Sequence, residues 1–193
     1  MIYPATDRYI NLANEALKNG DIIVYPTDTL YGFGVDATNS DAIRKLNRLK
    51  GRVQPLSVVL KSIKQIRDFA VLDENLEKKI AQLLPGCYTI LLPTKKSYLS
   101  PLVQSGSPNT GIRIPDHFFP IKLVELLGKP IITTSINRHG NEPLNDVTQV
   151  EIDFPNVDIF EDVNHRISNG STIIDFSLSP AKVVRVGDGP FPL

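Results

Sequence analysis

Cysteine is nearly missing from this chain. Cys87 is the single one in 193 residues, so no intrachain disulfide can form and no CxxC metal site exists. That usage fits a reducing compartment, and the surrounding GCYTILLP makes Cys87 a packed strand residue. An excess of either charge is missing too, with 21 Lys and Arg against 21 Asp and Glu. A non-specific nucleic-acid binder carries a cationic surplus to neutralise phosphates. Any anion site here must therefore be a local gathering of cations. No apolar run approaches the roughly 20 residues that span a bilayer, and the start has no cationic and apolar leader. The expected location is the cytoplasm, away from any membrane. There is no GxGxxG after the first apolar run, no GxxxxGK[ST] anywhere and no GxSxG elbow. These absences count against a regular dinucleotide fold, a P-loop and a serine-hydrolase triad. His117, His139 and His165 lie far apart without ligand spacing, so no protein-held metal is expected.

What is present suits one domain, residues 1–193, long enough to bury a core. Apolar content is 41% and charged content 22%, ordinary for a globular protein. The stretch from 22 to 60 carries the most information. An apolar run at 22–25 is stopped by Pro26 and followed by Thr27, Asp28 and Thr29, which places hydroxyls and a carboxylate where a strand gives out. Gly32 and Gly34 follow, allowing backbone that a side chain would obstruct. A helix from about Ser40 shows Ile43, Leu46 and Leu49 to the core and carries Arg44, Lys45 and Arg48 outside. At its far end Lys50 and Arg52 straddle Gly51. They read either as cations favoured by the helix macrodipole or as a fork for a phosphate-bearing ligand.

Along the rest of the chain, Thr6 or Asp7 caps a first helix with Ile10, Ala13, Ala16 and Leu17 inward, and Gly20 ends it. Strands are expected at 56–60, 88–92, 131–134, 157–160, 172–176 and 182–186. Helices are expected around 64–69, from a cap at Asp73 to a stop at Pro85-Gly86, and from a cap at Asp116 to Gly128. Residues 95–110, KKSYLSPLVQSGSPNT, have little periodicity and read as a mobile surface loop, a candidate lid; the tail GDGPFPL reads as loop. Strands and helices alternate, then strands dominate, which gives an α/β chain with a mixed sheet.

Three further segments set polar groups beside apolar strands. TTSIN at 133–137 ends one strand, GSTIID at 170–175 starts another, and KVVRVGDG puts Arg185 just before a glycine turn. Each alone reads as a cap or turn. Together they suggest a ligand at strand ends. Arg113, between Ile112 and Ile114, sits either on the solvated face of an edge strand or with its fork aimed into a cleft.

Taken in order, YPTDTLYGFG, LKGR followed by PL, TGIRIP, TSIN, and GSTIID followed by VVRVG resemble the YrdC-domain threonylcarbamoyl-AMP synthases, over roughly residues 21–189. The resemblance implies a YrdC-like twisted mixed sheet flanked by helices around a positively charged cavity. It implies condensation of L-threonine, bicarbonate and ATP to threonylcarbamoyl-AMP plus pyrophosphate, with Mg²⁺ on the phosphates, and transfer of the product through a tRNA-modifying complex. It implies threonine-binding roles for Thr29, Arg113, Ser135 and Ser171, with Thr27 and Tyr31 shaping the pocket. It implies Lys50 and Arg52 over the ATP phosphates, as the catalytic pair, with Asn109, Asn137, Asn145 and Arg185 as further nucleotide contacts. Asp28 and Asp36 are the candidate carboxylates for Mg²⁺. The chain departs from the pattern at Val53, Gln54, Val59 and Ile136, and its link from KGR to Pro55-Leu56 is short. It also ends after the catalytic domain, without the extension of longer relatives. The departures leave a YciO-like paralogue with different nucleotide chemistry as the alternative. A non-catalytic RNA-binding module is the reading from another class.

Overall fold

The computed structural model describes residues 1–138 and 140–190. His139 and the last three residues of the expected tail loop lie outside that range. In chain order the elements are β1 (Ile2–Pro4), α1 (Asp7–Lys18), β2 (Ile23–Tyr25), β3 (Gly32–Gly34), α2 (Ser40–Lys50), β4 (Ser57–Val59), α3 (Ile63–Ile66) and α4 (Glu74–Ile80). They continue with β5 (Tyr88–Pro93), β6 (Asn109–Arg113), α5 (Phe118–Leu127), β7 (Ile131–Ser135), α6 (Val147–Asp153), β8 (Asp158–Glu161), β9 (Thr172–Asp175) and β10 (Lys182–Arg185). The strands form one mixed sheet in the order β1-β8-β2-β3-β7-β4-β6-β5-β9-β10. The pairs β1·β8, β2·β8, β4·β6 and β5·β9 are parallel and the others antiparallel. This is the expected α/β class.

Side-chain alternation along the strands creates the cavity. On one face Val24, Phe33, Val58, Ile90, Ile112, Ile132 and Ile174 join a core completed by Ala42, Ile43 and Leu46 of α2, Ile66 of α3, Ile80 of α4 and Val150 of α6. On the other face Ile23, Tyr25, Val59, Ile131 and Phe160 pack under Ile10, Ala13 and Leu17 of α1 and Phe119, Leu123 and Val124 of α5. The same face continues along β4 to Ser57 and along β7 to Thr133 and Ser135, where α1 and α5 no longer cover it. The cavity opens over the uncovered part of that face, where the strands show Ser57, Thr133 and Ser135 in place of the apolar residues under the helices.

Two glycines have a visible cause. A Cβ on Gly34 would stand 2.6 Å from Cε1 of Tyr25, whose buried ring crosses β3. Gly51 closes α2 in the left-handed region at φ 67°, its N–H donating to the Arg48 carbonyl and that of Arg52 to the Asn47 carbonyl. Lys50 and Arg52 are thereby brought to the same side. At the start of α2 the cap is Asn39, whose Oδ1 accepts from Asp41 and Ala42.

Several expectations are corrected. The α5 cap is His117, whose Nδ1 accepts from the Phe119 N–H at 3.2 Å; Asp116 instead gives its N–H to Asp28 at 3.0 Å. β6 lies between β4 and β5, so Arg113 is no edge-strand residue. The segment 95–108 is anchored, with Val103 fully buried, its carbonyl accepting from Leu56 N–H at 2.8 Å and the Ser100 N–H donating to Ala37. Among the described residues none of this segment lines the cavity. β1, β3 and α6 are elements that the sequence pattern did not reveal. Cys87 falls one residue before β5; burial pushes its thiol pKa up.

Candidate active site

A cavity of about 400 Å³ opens on the uncovered sheet face. Thr29, Arg113 and Tyr31 form one side of its wall, Arg52, Ser135 and Asn137 another, and Ser171 and Arg185 a third. Thr27 and Lys50 stand immediately behind that wall, hydrogen-bonded to residues in it. Asn109 and Asn145 are not brought into it: Asn109 Nδ2 donates to Ser177 Oγ at 2.9 Å, and Asn145 Oδ1 is buried without a partner. Among the described residues the wall includes three arginines and no Asp or Glu.

The first side is built where β2 runs out. Thr27 donates its hydroxyl to the Leu30 carbonyl at 2.8 Å and accepts from Thr29 N–H at 3.0 Å. With its own proton engaged, Thr27 must accept in its 3.2 Å contact with the Thr29 hydroxyl. Thr29 Oγ1 also accepts from Arg113 Nη2 at 2.9 Å. Thr29 therefore shows the cavity a lone pair and no proton, a site for an ammonium or hydroxyl donor. Arg113 reaches this place from the end of β6, and its Nη2 also donates to Asp28 Oδ1 at 2.6 Å. Both members of that ion pair are 8% exposed, and Arg113 Nε is buried with no partner. A guanidinium that lines the cavity suits a carboxylate.

The second side gathers around one amide oxygen. Asn137 Oδ1 accepts from Lys50 Nζ at 2.9 Å, Ser135 Oγ at 3.0 Å and Arg52 Nη2 at 3.4 Å. Its Nδ2 donates to the Asn141 carbonyl at 2.8 Å, which fixes the amide's orientation. A carbonyl oxygen has two lone pairs, so three donors overfill it and the Arg52 contact is the long one. Lys50 also donates to the Ser135 carbonyl and lies 5.5 Å from the centre of the Phe33 ring. The lysine is 1% exposed, and burial, helped by the nearby Arg52 charge, pushes its pKa down to about 7. Arg52 Nε is buried and unpartnered. Lys50 and Arg52 thus converge on one neutral acceptor, an arrangement that suits an anion.

On the third side Arg185 donates from Nη2 to the Ser171 carbonyl at 2.7 Å and to its hydroxyl at 3.1 Å, and Ser171 Oγ lies 2.7 Å from Thr89 Oγ1. The Tyr31 hydroxyl donates to the Asp162 carbonyl at 3.1 Å and accepts from its N–H at 3.0 Å. Burial pushes its pKa up to about 12, so it stays protonated.

The sequence reading left out Thr89 and Ser57, and it took Thr133 only as part of TTSIN; all three belong to the wall. Their signal was a hydroxyl inside an otherwise apolar strand. Gln54 does border the cavity, while Val59 and Ile136 are fully buried in the cores. Val53 is 72% exposed. Asp28 and Asp36 are poor candidates for Mg²⁺. Asp28 is held by Arg113 and the Asp116 N–H, and Asp36 by Thr38 and Lys129. Among the described residues no cluster of three or more His, Cys, Asp or Glu is arranged to hold a metal ion.

The Sua5/YciO/YrdC family model, described as telomere recombination, matches residues 15–187. The chain belongs to this family. A threonylcarbamoyl-AMP synthase of Bacillus subtilis is 35% identical over 137 residues, covering 69% of this chain and 40% of that protein. Among solved structures, Pyrococcus abyssi Sua5 complexed with L-threonine superposes with a TM-score of 0.86 at 26% identity, covering 97% of this chain and 56% of that one. Escherichia coli YciO superposes with a TM-score of 0.87 at 25% identity, covering 96% and 92%. The chain thus spans about half the length of the Bacillus and Pyrococcus family members. Among the described residues no helix is long and apolar enough to cross a membrane.

Proposed function

We propose that this protein is a threonylcarbamoyl-AMP synthase, which condenses L-threonine, bicarbonate and ATP and releases pyrophosphate. The observation that carries the reading is one cavity with two unlike anion readers on different sides. Arg113 beside the Thr29 lone pair suits the carboxylate and ammonium of an amino acid. The Lys50 and Arg52 pair on Asn137 suits a triphosphate. The names of family members, and the L-threonine bound to Pyrococcus abyssi Sua5, support the same assignment.

The reaction needs three anions in one place, and the wall offers cations without carboxylates to offset their repulsion. The threonine amine attacks bicarbonate, with loss of water, to give the carbamate. A carbamate oxygen then attacks the α-phosphate of ATP and pyrophosphate leaves. Arg113, Thr29, Ser135 and Ser171 position threonine, while Thr27 orients Thr29 and Tyr31 closes the pocket. Lys50 and Arg52 neutralise charge that builds on the phosphates, with Asn137 and Arg185 beside the nucleotide. Asn109 and Asn145 stand apart from the wall and take no contact in this scheme. The wall does not fit a protein-held Mg²⁺; magnesium arrives on the nucleotide's own oxygens. The whole chain works as one domain in the cytoplasm, handing its product to a tRNA-modifying transfer complex. RNA contact is weak and secondary.

The test is pyrophosphate release by the pure protein with Mg²⁺ and ATP, adding threonine and bicarbonate separately and together. Release that needs both, and falls by about two orders of magnitude in Lys50→Met and Arg52→Ala, is expected. Release indifferent to threonine would sink the assignment.

A further inference from the structure

The cations around the cavity differ in what opposes them. Lys50 and Arg52 face a neutral amide, and Arg185 faces the carbonyl and hydroxyl of Ser171. Among the described residues Arg113 is the one wall arginine hydrogen-bonded to a carboxylate, that of Asp28. Asp28 is not part of the wall: it approaches Arg113 from a separate hollow that it borders together with Cys87, His117 and His165. Its carboxylate acts on the cavity through Arg113, which lines it. We infer that Asp28 is a positioning residue that sets ligand specificity, making the Arg113 end of the cavity take a zwitterionic α-amino acid and refuse phosphates and simple carboxylates.

The inference deepens the proposed function and rests on it for the identity of the amino acid. Its argument is charge accounting. Arg113 and Asp28 together carry no net charge, so a ligand that also carries none adds no uncompensated charge to a nearly dry site. The ligand's carboxylate faces the Arg113 guanidinium where it lines the cavity, and its ammonium meets the Thr29 lone pair. A phosphate or a deaminated acid brings negative charge with no ammonium to offset Asp28. It is therefore directed to Lys50 and Arg52, where no carboxylate stands. Asp28 also holds the guanidinium in place. Its Oδ1 takes Arg113 Nη2 and its Oδ2 takes the Asp116 N–H, so the carboxylate is anchored at both oxygens. Without this arrangement ATP phosphates would compete for the amino-acid place, and both substrates could not be bound in order.

The experiment measures equilibrium binding of L-threonine and of 2,3-dihydroxybutyrate, which has a hydroxyl in place of the amine, to the wild type, Asp28→Asn and Asp28→Glu. The wild type is expected to prefer L-threonine. Asp28→Asn is expected to shrink that preference roughly tenfold or more, because the anion gains an unopposed guanidinium. Asp28→Glu, which keeps the charge, is expected to keep the preference. An Asp28→Asn ratio within about twofold of the wild type would overturn the inference. Should Asp28→Asn not fold, the wild type still decides: inorganic phosphate must displace ATP without displacing L-threonine, and equal displacement of both overturns the idea. The two readings fail separately. A protein that shows this preference but releases no pyrophosphate removes the proposed reaction and leaves Asp28 its role. An active enzyme whose preference survives Asp28→Asn does the reverse.

Discussion

A buried lysine held near neutrality should take up a proton when its anion arrives. In the free protein the Lys50 pKa is lowered to about 7 from 10.5, by burial first and by Arg52 second. At pH 8 the amine is then only about one-tenth protonated. Contact with a triphosphate favours the ammonium and returns its pKa toward the ordinary lysine value. Nucleotide binding at pH 8 should therefore absorb about 0.9 proton per site, falling to about 0.5 at pH 7 and about 0.1 at pH 6. The sign for stability follows from the same numbers. Between about 7 and 10.5 the unfolded chain holds this proton and the folded chain does not, so this group makes the free protein more stable as pH rises through that window. Below about 7 the full burial penalty is present in the folded state. The assay is titration calorimetry with MgATP at pH 8 in two buffers of different protonation enthalpy, where the nucleotide's own phosphates are already ionised. Lys50→Met should abolish the buffer dependence. Proton release, no buffer dependence, or equal uptake by Lys50→Met would refute the reasoning.

Gly34→Ala places a methyl group against the Tyr25 ring, which is pinned by its hydroxyl bond to the Ile132 carbonyl at 3.0 Å. A loss of about 1–3 kcal/mol is expected, read as a Tm lower by several degrees, and an unchanged Tm would show that β3 gives way freely. Tyr31→Phe removes both hydrogen bonds to the Asp162 backbone. Amide exchange at Asp162 and through the following segment should rise by roughly tenfold or more, with threonine affinity reduced; unchanged protection there would mean that the segment is held by something else.

Strand ends, helix faces and most of the polar constellations were legible because each depends on local pattern. The apolar runs at 22–25 and 131–134 announce buried strands, and the hydroxyls that follow them mark where the cavity begins. What stayed hidden depends on partners distant in sequence. Lys50 reads either as a helix-end cation or as half of a phosphate fork, but its burial over Phe33 and its bond to Asn137, 87 residues away, come only from the fold. Asp28 reads as a possible metal ligand, and only the arrival of Arg113 from 85 residues further on gives it another task. β3 is Gly-Phe-Gly, with no alternation to recognise and poor strand propensity; it exists because β2 and β7 flank it on both sides. The 95–108 segment has loop composition, yet Leu99 and Val103 fasten it to the core.

The order of strands in the sheet has a consequence during synthesis. β2 emerges early, yet one of its two neighbours, β8, is encoded some 135 residues later, and β1 waits for that same strand. β3 likewise waits for β7. A nascent chain therefore carries unpaired strand edges until about residue 160 has left the ribosome, and the cavity lacks Ser171 and Arg185 for longer still. Helices α1 and α2 can form in the meantime, but they cover faces whose central strands have not yet met. Partial chains should be prone to pairing with one another, and a chaperone that masks β-edges would raise the yield of folded protein.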